Sequence, residues 1–135
     1  MLNNRNGLIR KLHFLAIILT TSFITIYSLI PLKELPSVES WDKVQHGVAY
    51  GFLAFLIGSA YPYNKGFKIT LLFCVFLGAF LEFAQTFVPG REGSFGDGFA
   101  NAIGAGLGLI YVPIVILYFF PINLTNKKSL CKNYK

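Results

Sequence analysis

Four long apolar runs dominate the pattern of hydrophobic and polar positions along the chain. They cover residues 12–30, 44–61, 69–88 and 97–120, and short stretches containing proline, glycine and charged residues separate them. A helix of about 20 apolar residues, rising 1.5 Å per residue, matches a hydrocarbon core roughly 30 Å thick. The pattern therefore predicts an all-α protein built as a bundle of four transmembrane helices.

The same pattern predicts one membrane domain with a short basic segment on either side. Residues 1–11 are expected to form an N-terminal tail, residues 12–120 the four-helix domain, and residues 121–135 a basic C-terminal tail. The first run is longer than a usual signal-peptide core and is not followed by a small-x-small cleavage pattern. We therefore interpret it as a span that is retained.

Lysine and arginine residues predict the orientation of the bundle. Four spans place both termini on one side, together with the loop that follows the second run. Nine of the lysines and arginines lie on that side, and three lie in the loops at residues 31–43 and 89–96. The positive-inside rule then predicts cytoplasmic termini and places these two loops outside.

Composition agrees with a membrane protein and narrows the expected partners. Hydrophobic residues make up 54 % of the chain and charged residues 13 %, whereas a soluble domain carries about 25 % charge. A net charge of +6 suggests nucleic acid in a soluble protein, but these basic residues lie mostly in the tails and one loop. We expect membrane lipids as partners and no nucleic acid. Cys74 and Cys131 predict neither a disulfide nor a metal site.

Three of the predicted helices carry polar residues at three- or four-residue spacing, which places each set on one helix face. The sets are Asp42, His46 and Tyr50 on the second helix, Glu82 and Gln85 on the third, and Asp97 and Asn101 on the fourth. Counted at 1.5 Å per residue, His46, Glu82 and Asn101 lie roughly 5–9 Å in from the outer helix ends. The spacing predicts one polar site just below the outer surface, with Lys43 and Arg91 above it.

Several of these residues also have structural interpretations. Asp42 can cap the second helix, and Ser94 with Asp97 can form a capping box at the start of the fourth. His46 can be a hydrogen-bonded core residue. Small-xxx-small glycine pairs at residues 47/51 and 104/108 predict close approach of helix backbones.

Glu82 is the hardest residue to explain by structure alone. It lies about two turns inside the membrane, where a charge is costly and leucine is expected to cause no structural loss. A structural pair with His46 or Arg91 stays open as an alternative.

The motifs DKxxHxxxY at residues 42–50, ExxQ at residues 82–85 and PGRxxSxxDxxxNxxG at residues 89–104 resemble the VanZ-like family. These are small bacterial membrane proteins named for a member linked to teicoplanin resistance. The resemblance covers residues 41–108. It implies a multi-pass protein of the bacterial cytoplasmic (inner) membrane that acts in the cell envelope. The best-known phenotype of the family is an antibiotic resistance, reduced glycopeptide susceptibility.

Together these features predict a protein that binds or modifies a lipid-linked or peptidoglycan-related component at the outer face. In an enzymatic version, Glu82 or His46 serves as the general acid or base. Arg91 and Lys43 then hold a phosphate or carboxylate. The predicted ligand-binding residues are Asp42, Lys43, Tyr50, Gln85, Arg91, Ser94, Asp97 and Asn101.

Two further hypotheses belong to other functional classes. In the first, the polar residues only lock the bundle, and the protein is a non-catalytic structural or interaction partner in the membrane. In the second, His46, Glu82 and Asp97 hold a divalent metal ion, although the chain has no HExxH spacing. The interpretation we favour expects no metal and no cofactor. Whether the protein is an enzyme, and its oligomeric state, are left open.

Overall fold

Four helices form the protein in a computed structural model. They are α1 (Leu2–Leu29), α2 (Glu39–Ala60), α3 (Asn64–Gln85) and α4 (Phe95–Phe119). The structure describes residues 2–31, 39–60, 64–91 and 93–119, with side chains described within residues 7–31, 43–60, 66–91 and 93–115. The described residues form no β-strand, which confirms the all-α prediction. The predicted C-terminal tail lies outside the described residues.

Several helix ends differ from the predicted ones, and two of the differences have a clear local cause. Helix α1 begins at Leu2 and continues through the basic N-terminal segment, because lysine, arginine and leucine favour a helix. Helix α3 ends at Gln85, three residues before the end of the apolar run. The next backbone amides donate hydrogen bonds to carbonyl oxygens three residues earlier, as in Val88 N–H to Gln85 O at 2.9 Å. Pro89 disfavours a helical conformation at the residue before it, and Gly90 turns the chain with φ of 81°.

Three of the described helices, not four, are long and apolar enough to cross a membrane. The qualifying stretches are Gly7–Leu29 in α1, Gly66–Gln85 in α3 and Phe95–Val115 in α4. Helix α2 falls short because its first half carries Lys43, Gln45 and other polar residues. The prediction of four apolar spans is therefore confirmed for α1, α3 and α4 and is wrong for α2 by composition.

Much of the outer surface is apolar, as expected for helices that face lipid. Ile69, Phe76 and Phe99 are 67 %, 73 % and 71 % exposed. Large contiguous apolar surfaces are rare on soluble monomers. The structure therefore supports a membrane protein.

Helices α2 and α4 form the most extensive helix–helix contact. An added Cβ on Gly104 would collide with the carbonyl oxygen of Gly47, and one on Gly108 would collide with that of Gly51. Only glycine permits backbones this close, so the predicted packing role of both glycine pairs is confirmed. The order of these contacts shows that α2 and α4 run parallel.

Helices α1 and α3 run in the opposite direction. Gln85 at the end of α3 reaches the Ser28 carbonyl oxygen near the end of α1, while Tyr27 of α1 reaches Gln45 near the start of α2. The C-terminal ends of α1 and α3 and the N-terminal ends of α2 and α4 therefore lie together. We call this end of the bundle the polar end, because the predicted site residues lie there.

Candidate functional site

The three predicted polar stripes meet at the polar end. His46 Nδ1 of α2 lies 3.8 Å from Glu82 Oε1 of α3 and 3.2 Å from Asn101 Oδ1 of α4. The side chains of His46 and Glu82 are 11 % and 12 % exposed, and Asn101 is fully buried. One histidine, one carboxylate and one amide from three helices thus share a single, largely water-excluded location.

Glu82 also fixes the start of α4. Its Oε2 accepts a hydrogen bond from the Ser94 backbone N–H at 2.9 Å, and the Ser94 hydroxyl oxygen accepts one from the Gly96 N–H at 3.2 Å. Ser94 is therefore the N-cap of α4, as predicted. The reciprocal half of the predicted capping box is wrong, because the Ser94 amide bonds to Glu82 and not to Asp97.

Asp97 is consequently left to face Lys43. Its Oδ1 lies 3.8 Å from Lys43 Nζ, with the two side chains 9 % and 46 % exposed. Lys43 packs over the first turn of α4, where an added Cβ on Gly96 would lie 2.9 Å from Lys43 Cε. A buried carboxylate is costly unless it is closely paired. At 3.8 Å from a half-exposed lysine, Asp97 is only loosely compensated.

Several buried polar atoms here have no hydrogen-bond partner in the described part of the chain. They are Asp97 Oδ1, Asn101 Nδ2 and the Tyr50 hydroxyl. Gly78 of α3 makes room for the amide, since an added Cβ would lie 2.9 Å from Asn101 Nδ2. Buried polar groups nearly always bind something, so these atoms point to a ligand, ion or water at the site.

Two predicted site residues are turned away to hold α1 instead. Gln85 Nε2 donates to Ser28 O at 3.0 Å. Arg91 donates from Nε to Ile30 O at 3.1 Å and from Nη2 to Tyr27 O at 2.8 Å. The last carbonyls of a helix have no partner within it, so Arg91 caps α1. Its predicted part in holding a phosphate has no support from this geometry.

Of the remaining predicted site residues, Lys43 and Tyr50 have described side chains and Asp42 does not. Lys43 contacts Asp97, and Tyr50 lies fully buried one turn after His46 on α2. The backbone of Asp42 belongs to α2, but its side chain lies outside the described part. Its capping and binding roles therefore stay predictions. We define the polar cluster as Lys43, His46, Glu82, Asp97 and Asn101.

Sequence reasoning missed an open groove between α2 and α4. Its volume is about 800 Å³, and its lining residues are apolar or glycine except for Lys43 at one end and Tyr111 toward the other. The four close-packed glycines lie along its length and leave it without side chains there. The glycine spacing indicated a close contact between helices. Predicting the groove also requires knowing which helices pair, and the spacing does not give that.

A smaller cavity approaches the cluster from the other side of α2. It has a volume of about 230 Å³, lies between α1 and α2, and reaches His46 and Tyr50. The cluster is thus bordered by an apolar groove on one side and a small cavity on the other.

The cluster also has donor atoms suited to a metal ion. His46, Glu82 and Asp97 can each offer one atom, and these atoms all lie within 4.8 Å of one another. Imidazole nitrogen and carboxylate oxygen are common ligands of divalent ions in proteins. The alternative of a metal site that the sequence suggested is compatible with this geometry.

Comparison with known proteins gives one family and no individual relative. No curated protein and no solved structure matches the chain. The VanZ/LLP1 family model matches residues 7–120, a stretch that contains every predicted site residue and all three apolar spans. The match extends well beyond the motifs at residues 41–108 on which the resemblance was based. The chain therefore belongs to the VanZ/LLP1 family.

Proposed function

We propose that this VanZ/LLP1 protein binds an anionic, lipid-linked component of the bacterial cell envelope. The charged headgroup occupies the polar cluster, and the apolar chain occupies the groove between α2 and α4. The observation that carries the proposal is the position of Lys43. This residue lines one end of the apolar groove and also contacts Asp97 of the cluster.

The groove has the features of a site for an apolar chain. Its volume of about 800 Å³ falls in the range of ligand pockets, which are mostly apolar with a few well-placed polar groups. It lies within the apolar part of the bundle, beside a qualifying membrane span. Bilayer lipid has access to it, so a ligand with a long hydrocarbon chain enters without leaving an apolar environment.

The cation at the end of the groove favours an anionic headgroup. Lys43 is 46 % exposed, so its ammonium can leave Asp97 and contact a phosphate. It also lies over the first turn of α4, and helix N-termini favour negative charge. In a phosphate or pyrophosphate attached to a hydrocarbon chain, the anionic group would contact Lys43 and the hydrocarbon chain would lie in the apolar groove.

In a catalytic form of this proposal, the cluster moves a proton to or from the bound headgroup. His46 and Glu82 are the residues able to do so, as general acid or base. Their separation of 3.8 Å places both beside the same location in the cluster. In a purely binding form, the same residues orient the headgroup by hydrogen bonds.

Lipid binding to the purified protein tests the proposal. We expect wild-type protein in detergent to retain a polyprenyl phosphate and to retain the matching uncharged polyprenol far less. Lys43→Ala should weaken retention of the phosphate by roughly tenfold or more, as expected for losing a hydrogen bond to a charged group. Native mass spectrometry measures both, with phosphatidylglycerol as the bulk anionic lipid for comparison.

Lys68→Ala is the matched control. Lys68 is an exposed lysine near the start of α3, at the end of the bundle opposite the cluster. Its loss should leave retention of the polyprenyl phosphate unchanged. Equal retention of polyprenol and polyprenyl phosphate, or equal loss in the two lysine variants, would contradict the proposal.

We further propose that the polar end faces outward in the cytoplasmic membrane and that α2 also crosses the bilayer. The lysine and arginine distribution supports this orientation. Contacts of His46 with Glu82 of α3 and Asn101 of α4 shelter part of the polar first half of α2. Reporters fused after Asn64 and after Gly93 should then report cytoplasmic and external locations, respectively. Reporters on one common side, or on exchanged sides, would contradict this topology.

A second candidate function is a non-catalytic structural role. It is favoured by the bond from Ser94 to Glu82 and by the contacts of Gln85 and Arg91 with α1, which all hold helices together. Under this alternative, loss of function always follows loss of folded protein. Under our proposal, some variants of the cluster lose function while they stay folded. In those variants, glycopeptide susceptibility and the lipid-linked precursor pool change at an unchanged level of folded protein.

A further inference from the structure

We infer that His46, Glu82 and Asp97 form a binding site for a divalent transition-metal ion. The three residues come from three different helices, and their donor atoms all lie within 4.8 Å of one another. This inference goes beyond the proposed function, because an ion can be held here whether or not a lipid headgroup binds beside it.

Asp97 provides an independent reason for an ion. Its side chain is 9 % exposed, yet Oδ1 has no hydrogen-bond partner within the described chain. Lys43, at 3.8 Å, lies beyond the distance of a hydrogen bond. Oxygen atoms of this kind, buried and incompletely satisfied, are the atoms that a cation at the cluster would contact.

Charge in the cluster leads to the same conclusion. Two carboxylates, Glu82 and Asp97, are both about nine-tenths buried, and the contacting lysine is half exposed. Removing charges from water is costly, and close pairing is required to offset it. A divalent ion between the two carboxylates supplies positive charge at contact distance, including to Asp97 Oδ1, which has no hydrogen-bond partner within the described chain.

Asn101 supplies a fourth ligand atom. Its Oδ1 lies 3.2 Å from His46 Nδ1, a separation typical of neighbouring ligand atoms around a small ion with bonds of about 2.0–2.2 Å. The resulting set is one imidazole nitrogen and three oxygens. Imidazole favours first-row transition metals, whereas Mg²⁺ and Ca²⁺ prefer all-oxygen sites. The donor set therefore fits Mn²⁺ or Zn²⁺.

Metal content tests the inference directly. Tag-free wild-type protein is stripped with EDTA, incubated with Mn²⁺ or Zn²⁺, freed of excess ion and analysed by mass spectrometry. We expect about one ion per chain, since the described residues hold one such group of ligands. His46→Ala removes a direct ligand, and Asp97→Asn replaces a charged ligand with a neutral one, so each should lower the metal content by roughly tenfold or more.

His13→Ala is the matched control. His13 is the other histidine of the two in the chain. It lies at the opposite end of the bundle, where its Nε2 contacts Leu56 O at 2.7 Å. This variant should bind the ion as wild type does. Wild-type protein with no bound ion, or His46→Ala with undiminished content, would overturn the inference.

Thermal stability keeps the test decisive if a variant folds poorly. An ion that binds only the folded state raises its stability, so Mn²⁺ or Zn²⁺ should raise the unfolding midpoint of stripped wild-type protein. The same concentration of Mg²⁺ or Ca²⁺ should raise it less. No rise with Mn²⁺ or Zn²⁺, or an equal rise with all four ions, would count against a transition-metal site. Neither readout uses a lipid ligand, so failure here leaves the proposed function standing.

Discussion

Gly104→Ala is expected to prevent assembly of the bundle. The added methyl group would collide with the carbonyl oxygen of Gly47, which belongs to a helix backbone and cannot move aside alone. Relief requires α2 and α4 to separate, and this is the most extensive helix contact in the protein. Forcing an extra carbon into a packed core costs about 1–3 kcal/mol or more, a large share of the stability of a small domain.

Gly106→Ala provides the matched control for this prediction. Gly106 lies two residues further along α4, and an added Cβ there meets nothing within 4 Å. Alanine also favours a helix over glycine by roughly 1 kcal/mol, so this variant should equal or exceed wild type in stability. Monodisperse yield and the unfolding midpoint in detergent measure both variants. Similar behaviour of Gly104→Ala and Gly106→Ala would show that the described α2–α4 contact is wrong.

Glu82→Gln is expected to abolish function while leaving the protein folded. Glutamine keeps the side-chain length and an oxygen that can accept the Ser94 N–H bond, which is 2.9 Å long in the wild type. It removes the negative charge beside His46 and with it the capacity to accept a proton, and it leaves only a neutral, weaker ligand for a metal ion. Function in cells should fall to the level of the deletion strain, while the amount of folded protein stays near that of wild type.

Glu82→Leu separates the two roles of this residue. Leucine cannot accept the Ser94 amide, and an unsatisfied buried donor costs about 1–3 kcal/mol. This variant should therefore lose stability as well as function, contrary to the expectation that leucine is tolerated here. Thr86→Val, an exposed change one turn further along, is a control for substitution near this end of α3. Unfolding midpoints in detergent should rank Glu82→Leu below Glu82→Gln.

The sequence was sufficient to predict the meeting of the three stripes. Helical spacing is a local property, so the shared faces of His46 with Tyr50 and of Asp97 with Asn101 follow from residue numbers alone. The short connection between α3 and α4 forces those helices to be neighbours, which brings Glu82 near the start of α4. The similar depths of the three stripes then followed from counting residues from each helix end at the helical rise per residue.

The partners of Arg91 and Gln85 could not be predicted in the same way. Both side chains contact carbonyl oxygens of α1, and the longer connection between α1 and α2 leaves the placement of α1 undetermined. The contact of Glu82 with Ser94 was also unpredictable from local spacing. In a capping box the Ser94 amide would donate to Asp97 on the same helix, whereas here it donates to Glu82 on a different helix. The groove depends on the parallel pairing of α2 and α4, which are not adjacent in the chain.

The prediction that α2 is an apolar span failed because α2 contributes polar residues to the cluster. A polar cluster needs polar residues on each contributing helix, and Lys43, Gln45 and His46 fall in the first half of α2. These residues keep the mean hydropathy of α2 below that of the apolar stretches in the other three helices. The residues that make α2 part of the site are thus the ones that keep it from qualifying as an apolar span.

We propose that the polar cluster is a functional site and not only a structural lock. Function per folded molecule of Glu82→Gln tests it most directly. A deletion strain is complemented with wild type or Glu82→Gln, and the lipid-linked precursor pool and glycopeptide susceptibility are divided by the amount of folded protein in the membrane. We predict deletion-like values for Glu82→Gln at near wild-type protein levels. Wild-type function per folded molecule would contradict a functional role for the cluster.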